Sequence, residues 1–517
     1  MKLFTTLVTA ILLAVAAPAA AVTPPNVLVV GQVAEPKSLD PQAVTATNDF
    51  RILVNVFEGL VRFRQGTMEV EPALATDWTI SEDGLTYRFD LRENVTFHDG
   101  TPFDAEAVKF TFDRMLETDH PLHDTGPFPL AFFFSSIDAV TVVDPLTVEF
   151  SLREPFAPFL SNLAYPTGLI VSPTAVADAG SEFGRHPVGT GPFRFEAWEP
   201  EDKVTISRNG DYWGEVPAIE AVEFRPIPDA AARTTQMLSG DIDLMVEAPA
   251  ASLATFRADP GYTVHEEAGP HLWFLILNTK EGPFADKRVR QAVNYAIDKQ
   301  AIVEDVLKGS AEIAAGPIPP AFDWALDGSV EPYPYDPEKA RELIREAGVE
   351  GASLTFYVAE GGSGMLDPVA MAVAIQADLK AVGLDARIET YEWNTFLSNV
   401  NPGLEGKADM AEMAWMTNDP DTLPFLALRS DAVPDDGGFN AGYYANPEVD
   451  QLLADARRST DRDERGALYR QIQQIVHDDA PWAFVANWKQ NAVSRASVSG
   501  FDLEPSFLLL LGDVTKE

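Results

Sequence analysis

Residues 336–359 read DPEKARELIREAGVEGASLTFYVA, and this one stretch holds a helix, its stop and the strand that follows. Asp336 supplies an N-cap, and Pro337 sits at the first helical position, where its missing N–H costs nothing. Gly348 supplies the residue that ends the helix, and 353–358 reads as a strand. Working outward toward the C-terminus, the same alternation continues. A helix over 367–382 is closed by Gly383, then come a strand over 386–391 and an apolar strand over 409–415. Another helix follows Asn446-Pro447, placing Val449, Leu452, Leu453 and Ala456 on one face, and a last one covers 463–477. Strands alternating with helices indicate βαβ units and a parallel sheet. On the N-terminal side, Val289, Val293, Ala296 and Ile297 fall on one helical stripe.

Between about residues 27 and 264 the texture is different. Leu85, Tyr87, Phe89 and Leu91 alternate with Thr86, Arg88 and Asp90, so one strand face is apolar and the other wet. Val140, Val142, Val148, Phe150 and Leu152 repeat the signal around an Asp144-Pro145 turn. A helix over 104–116 interrupts, with Asp104 as its cap. This predicts an α+β lobe with antiparallel pairing. The apolar run 271–278 leads into the second lobe, and 482–493 reads as a strand leading back out. Two crossings favour bending of one lobe over the other, with a cleft between them.

The chain has 517 residues, with 38 Lys+Arg against 79 Asp+Glu and a formal net charge of −41. Such a surface repels phosphate backbones, so nucleic acid is excluded as a partner. Cysteine is absent, which removes disulfides, thiol nucleophiles, thiolate metal sites and lipid attachment through cysteine. Residues 1–21, MKLFTTLVTAILLAVAAPAAA, carry a charged start, an apolar run and an Ala-x-Ala end, which is a secretory signal peptide cleaved after Ala21.

In open parallel sheets, ligands bind outside the carboxyl ends of the strands. That rule selects three loops: 359–365 with Gly362, 391–394 with Trp393, and 415–421 with Trp415, Thr417 and Asp419. They combine glycines, aromatic planes and carboxylates, as an apolar pocket with a few fixed polar groups requires. Asp419, followed by Pro420, reads either as a helix cap or as a partner for a cationic ligand group, and the two are compatible. Trp393 and Trp415 serve equally as core residues or as ligand platforms. Enzyme motifs fare badly. His120-x-x-His123 lacks further ligands at zinc-site spacing, and Gly189-Thr190-Gly191-Pro192 reads as a turn because Pro192 removes a donor. No His-Glu-x-x-His, Gly-x-Ser-x-Gly or P-loop is present, so no catalytic residue, metal or cofactor is assigned.

Other segments carry a resemblance. Glu35-Pro36-Lys37-Ser38-Leu39-Asp40-Pro41, Phe57-Glu58-Gly59-Leu60 and Glu71-Pro72-Ala73-Leu74-Ala75 open the series. Val95-Thr96-Phe97-His98-Asp99-Gly100, Val188-Gly189-Thr190-Gly191-Pro192-Phe193 and Arg288-Val289-Arg290-Gln291-Ala292 follow, with Tyr335-Asp336-Pro337 and Tyr444-Ala445-Asn446-Pro447 closing it. In this order the chain resembles the bacterial extracellular solute-binding proteins of family 5, which include the dipeptide- and oligopeptide-binding components of ABC importers. The resemblance implies an α/β, two-lobed periplasmic binding protein fold with a hinge, a mixed α+β first lobe and an extra β-rich subdomain. The expected boundaries are 22–269 for the first lobe with the subdomain at 50–173, 270–487 for the second, and 488–517 for the return.

It also implies a non-catalytic carrier that traps a peptide or peptide-like solute in the cleft and delivers it to permease subunits in the inner membrane. Without a cysteine, that carrier diffuses freely in the periplasm, and a cleft that opens and closes argues for a monomer. Asn48, Asp49 and Phe50 are expected to face Gly362, Trp393, Trp415, Thr417 and Asp419 across the cleft. Family peptide binders often carry an aspartate shortly after the tryptophan of the third loop, where it meets the peptide amino terminus. Here the loop is shorter and Asn418 stands near that place. The alternatives are an oligosaccharide, opine, glutathione or chelated nickel as solute, or, from another class, a secreted hydrolase using paired carboxylates.

Overall fold

The computed structural model describes residues 23–362 and 364–517. The expected signal peptide, residues 1–21, lies outside them. One mixed sheet runs through both lobes. In spatial order its strands are Asp385–Tyr391, Ser353–Ala359, Met410–Met416, His271–Leu277, Trp482–Arg495, Leu244–Val246, Val27–Gln32, Ala221–Pro226, Lys203–Arg208 and Phe193–Glu199. Tyr262–Ala268 and Ala311–Ile313 pair with Trp482–Arg495 off this path.

The long strand Trp482–Arg495 is the joint. Its first half pairs antiparallel with His271–Leu277, and its second half with Leu244–Val246 and Tyr262–Ala268. A two-residue link, Gly269-Pro270, carries the other crossing. Fourteen residues of continuous strand can serve two lobes because most are buried on both faces.

Parallel pairing appears in both lobes, which corrects the purely antiparallel reading of the first. Val27–Gln32 lies parallel to Ala221–Pro226 and to Leu244–Val246. Its Leu28, Val29 and Val30 are inaccessible, a run of apolar residues that alternation alone does not detect. In the second lobe Ser353–Ala359 is parallel to both neighbours, as expected, but Met410–Met416 is antiparallel to His271–Leu277. The helix Pro337–Ala347 starts at Asp336, whose side chain accepts from the Lys339 N–H, and stops at Gly348 in left-handed backbone.

The antiparallel signal belongs to a separate four-stranded sheet, ordered Ala75–Ile80, Thr86–Leu91, Thr147–Leu152, Ile137–Asp144. The helix Ala105–Leu116, capped by Asp104, packs on it. Its core is aromatic: Phe112 meets Phe150 at 5.0 Å and 89°, and Phe134 at 5.1 Å and 83°. Each such edge-to-face pair adds about 0.5–1.5 kcal/mol beyond area burial. Arg114 of the helix forms a fully buried ion pair with Asp40 at 2.6 Å, tying the sheet to the N-terminal motif.

Candidate ligand-binding cleft

Between the lobes lies a cavity of about 560 Å³, the size of a small-molecule site. Residues 45–48, leading into the helix Thr47–Val56, form one wall. That helix has no side-chain cap, so its N-terminal end presents backbone N–H groups and a positive dipole end toward the cleft. Gly362, Gly364, Leu366 and Asp367 form the opposite wall, and Trp488 and Asn491 of the crossing strand form the base.

Glu247 stands at the margin with φ of 51°, in left-handed backbone that a glutamate rarely adopts. It is held there by Arg51, 2.8 Å from Oε1, and by Arg233, which donates to its carbonyl. Strain over-determined by its surroundings is a mark of functional sites.

Gly364 is placed by His271. The imidazole Nε2 donates to the Gly364 carbonyl at 2.8 Å, while Nδ1 accepts the Trp488 N–H at 3.1 Å. Burial pushes the His271 pKa down to about 4, so the ring is neutral and both nitrogens are used. One side chain thus links the glycine loop to the base of the cleft.

A second, apolar pocket of about 130 Å³ adjoins the first, sharing Thr47 and Met416. Phe50, Phe133 and Tyr165 of the first lobe face Trp415 and Phe439 of the second, with Thr417 beside them. Phe50 meets Tyr165 edge-on at 5.4 Å, and Trp415 meets Phe439 at 5.3 Å. Rigid aromatic walls lose little entropy on binding and suit an apolar side chain.

The structure therefore brings together Asn48, Gly362, Phe50, Trp415 and Thr417, and separates the other three. Asp49 is 1% exposed and accepts the Lys37 N–H at 2.8 Å, so it anchors the N-terminal motif and does not face the cleft. Burial raises its pKa to about 6. Trp393 backs the loop: a side chain on Gly362 would collide with its ring, which stacks on Phe396 at 5.8 Å. Asp419 is 1% exposed and already satisfied. It pairs with Arg465 at 2.6 Å and accepts from Ser161 Oγ and the Asp421 N–H, both at 2.9 Å. Its carboxylate fastens the two lobes together beside the Asn418–Asn162 side-chain hydrogen bond of 2.7 Å, leaving nothing for a ligand amine.

Glu247, Trp488, Asn491 and Tyr165 escaped the sequence reading. For Asn491 a signal existed, since 487–491 reads Asn-Trp-Lys-Gln-Asn inside an otherwise apolar strand. Among the described residues, no group of three or more His, Cys, Asp or Glu side chains is placed to hold a metal ion.

Two lobes on a shared sheet, joined by two crossings and enclosing a cleft walled from both sides, define a solute-binding protein. The chain belongs to the bacterial extracellular solute-binding proteins, family 5, whose middle region matches residues 69–435. It is 33% identical over 513 residues to di/tripeptide-binding protein 2 of Pseudomonas aeruginosa, covering 96% of both chains. Among solved structures, HbpA2 from Haemophilus parasuis superposes with a TM-score of 0.89 at 30% identity, over 95% of this chain and 100% of that one. The ABC transporter-associated periplasmic binding protein DppA from Helicobacter pylori, in complex with the peptide STSA, gives 0.76 at 31% identity, over 95% and 98%. Members of this family are binding proteins.

Proposed function

We propose that this protein is the periplasmic substrate-binding component of an ABC importer and that its solute is a peptide or peptide-like molecule. The carrying observation is the pairing of a polar cleft, edged by backbone and an uncapped helix N-terminus, with an adjoining aromatic pocket. A peptide has both parts: a polar backbone with a terminal carboxylate, and side chains. The carboxylate suits the N-terminal end of the helix Thr47–Val56, where N–H groups and the dipole favour negative charge. An apolar side chain suits the pocket between Phe50 and Trp415. The di/tripeptide-binding relative and the peptide-bound neighbour support the same solute class.

Binding energy gained from both lobes at once shifts an open–closed equilibrium toward the closed form, which is the form a permease would read. Among the described residues, no helix is long and apolar enough to cross a membrane. A carrier that diffuses as a monomer in the periplasm would follow from the expected signal peptide and from a cleft that opens and closes.

Calorimetric titration with di- and tripeptides checks the reading, with the peptides then recovered and weighed by mass spectrometry. One-to-one binding with intact peptide is expected. Silence across the whole panel, or cleaved peptide, contradicts it.

A further inference from the structure

Behind the aromatic pocket, inside the first lobe, is a chamber of about 350 Å³ to which neither the cleft nor the pocket assigns a role. Phe63, Ser506 and Leu508 line both the chamber and the pocket, so a partition of three side chains separates them. The segment that supplies two of the three is strained. Phe507 has φ of 65°, unusual for an aromatic residue, and its ring is wedged against Gly269 and against Trp488 at 5.1 Å. Holding a non-glycine residue there is costly, and such positions cluster at ligand clamps.

The chamber has an apolar body and an acidic lining. Phe57, Leu508 and Leu511 contribute the first; Glu58, Glu71, Glu215, Glu504 and Asp513 contribute the second, against Arg62 as the one lining cation among the described residues. Two of these acids are already served. Glu58 takes Tyr212 Oη at 2.7 Å, Thr190 Oγ1 at 2.8 Å and Trp213 Nε1 at 2.9 Å, and Glu71 pairs with Arg62 at 2.8 Å. Glu504 is not. It is 2% exposed, its Oε2 accepts the Gly66 N–H at 2.8 Å, and its Oε1 has no donor. A buried carboxyl left this way is costly unless a proton or a cation arrives.

We propose that this chamber is a subsite for a cationic group, an ammonium or guanidinium on a short alkyl stem, carried by the solute that fills the cleft. The stem would lie along Trp213 and Leu510, the half-buried apolar residues of the lining, and the charged end would supply the donor that Glu504 lacks. The carrier, but not the chamber, rests on the peptide reading above. Burial first, and then the nearby Asp502 and Glu267 carboxylates, raise the Glu504 pKa, and a cation beside it would act in the opposite direction.

Calorimetry on the full chain without its leader tests this, using the tripeptide Ala-Phe-Arg and its neutral isostere Ala-Phe-citrulline. Wild type is expected to favour the arginine peptide by about tenfold or more, as a charge-assisted hydrogen bond allows. Glu504→Gln should erase the preference while leaving citrulline-peptide affinity in place. Leu510→Trp, which fills the chamber from a half-exposed position, should weaken both peptides and bring them to one affinity, and serves if E504Q does not fold. Equal affinities in wild type, or a preference that survives both variants, overturn the proposal. Should neither tripeptide bind, the chamber is decided separately with n-butylguanidinium chloride, and the peptide reading by the wider panel. That salt should raise the wild-type melting midpoint more than n-butylurea does, and lose the advantage in E504Q; no difference in wild type overturns the subsite.

Discussion

Glu412 is a carboxylic acid in the middle of a buried strand. It is inaccessible, its Oε1 accepts the Ala359 N–H at 2.7 Å, and its Oε2 has no partner. Burial pushes its pKa up to about 8 from an ordinary 4.5, so the folded protein holds it protonated. The sign follows. Stability supported by the protonated form is complete below pH 4.5 and is lost as pH rises through about 8. Glu412→Gln should therefore stabilise the protein at pH 9 by roughly 2–4 kcal/mol, with the gain shrinking to nothing near pH 4, as denaturant melts at both pH values would show. A constant difference at the two pH values would contradict the assignment. Asp419 makes the complementary point about buried acids. Both it and Glu412 read as loop or strand polar residues in sequence, but Arg465, 46 residues away in the chain, satisfies only one of them. No local pattern announces that partner, which is why Asp419 looked like a ligand contact.

Among elements, the strand Trp482–Arg495 does the most. It is the seam at which the two lobes' strands share one sheet, and its Trp488 N–H donates to the imidazole that positions Gly364. His271→Ala removes both hydrogen bonds without touching the cleft wall. It should weaken solute binding about tenfold or more by freeing the glycine loop, while circular dichroism shows the fold intact. Unchanged affinity would mean that the loop is held by other contacts. The helices were legible because their signals are local: Asp336 with Pro337 and Gly348, Asp104, Asn446 with Pro447. The glycine loop and Trp415 were found because the carboxyl ends of parallel strands are where ligands gather. Strand direction was less legible. Leu28–Val30 and residues 410–413 are buried on both faces, so their periodicity says nothing about which neighbour they join. Glu247 and Tyr165 reach the cleft by tertiary packing alone, from segments with no motif.

At the scale of the molecule, a net charge of −41 is a property of the surface, and the cleft is decided by few groups. Its lining holds the carboxylates of Glu247 and Asp367 and, among the described residues, no lysine, arginine or histidine. The negative field of the whole chain adds to this in steering: anionic solutes are repelled and cationic ones gathered, more strongly at low salt. The acid-lined chamber in the first lobe points the same way. The central claim is that a peptide-like solute sits between the lobes with a side chain against Trp415. Native mass spectrometry of protein freshly purified from its producing cells tests it most directly, comparing wild type with Trp415→Ala. The expected spectrum shows wild type carrying one equivalent of small molecules that fragment as peptides, and the variant largely empty. Wild type that carries no such species, or a variant that retains it undiminished, would contradict the account.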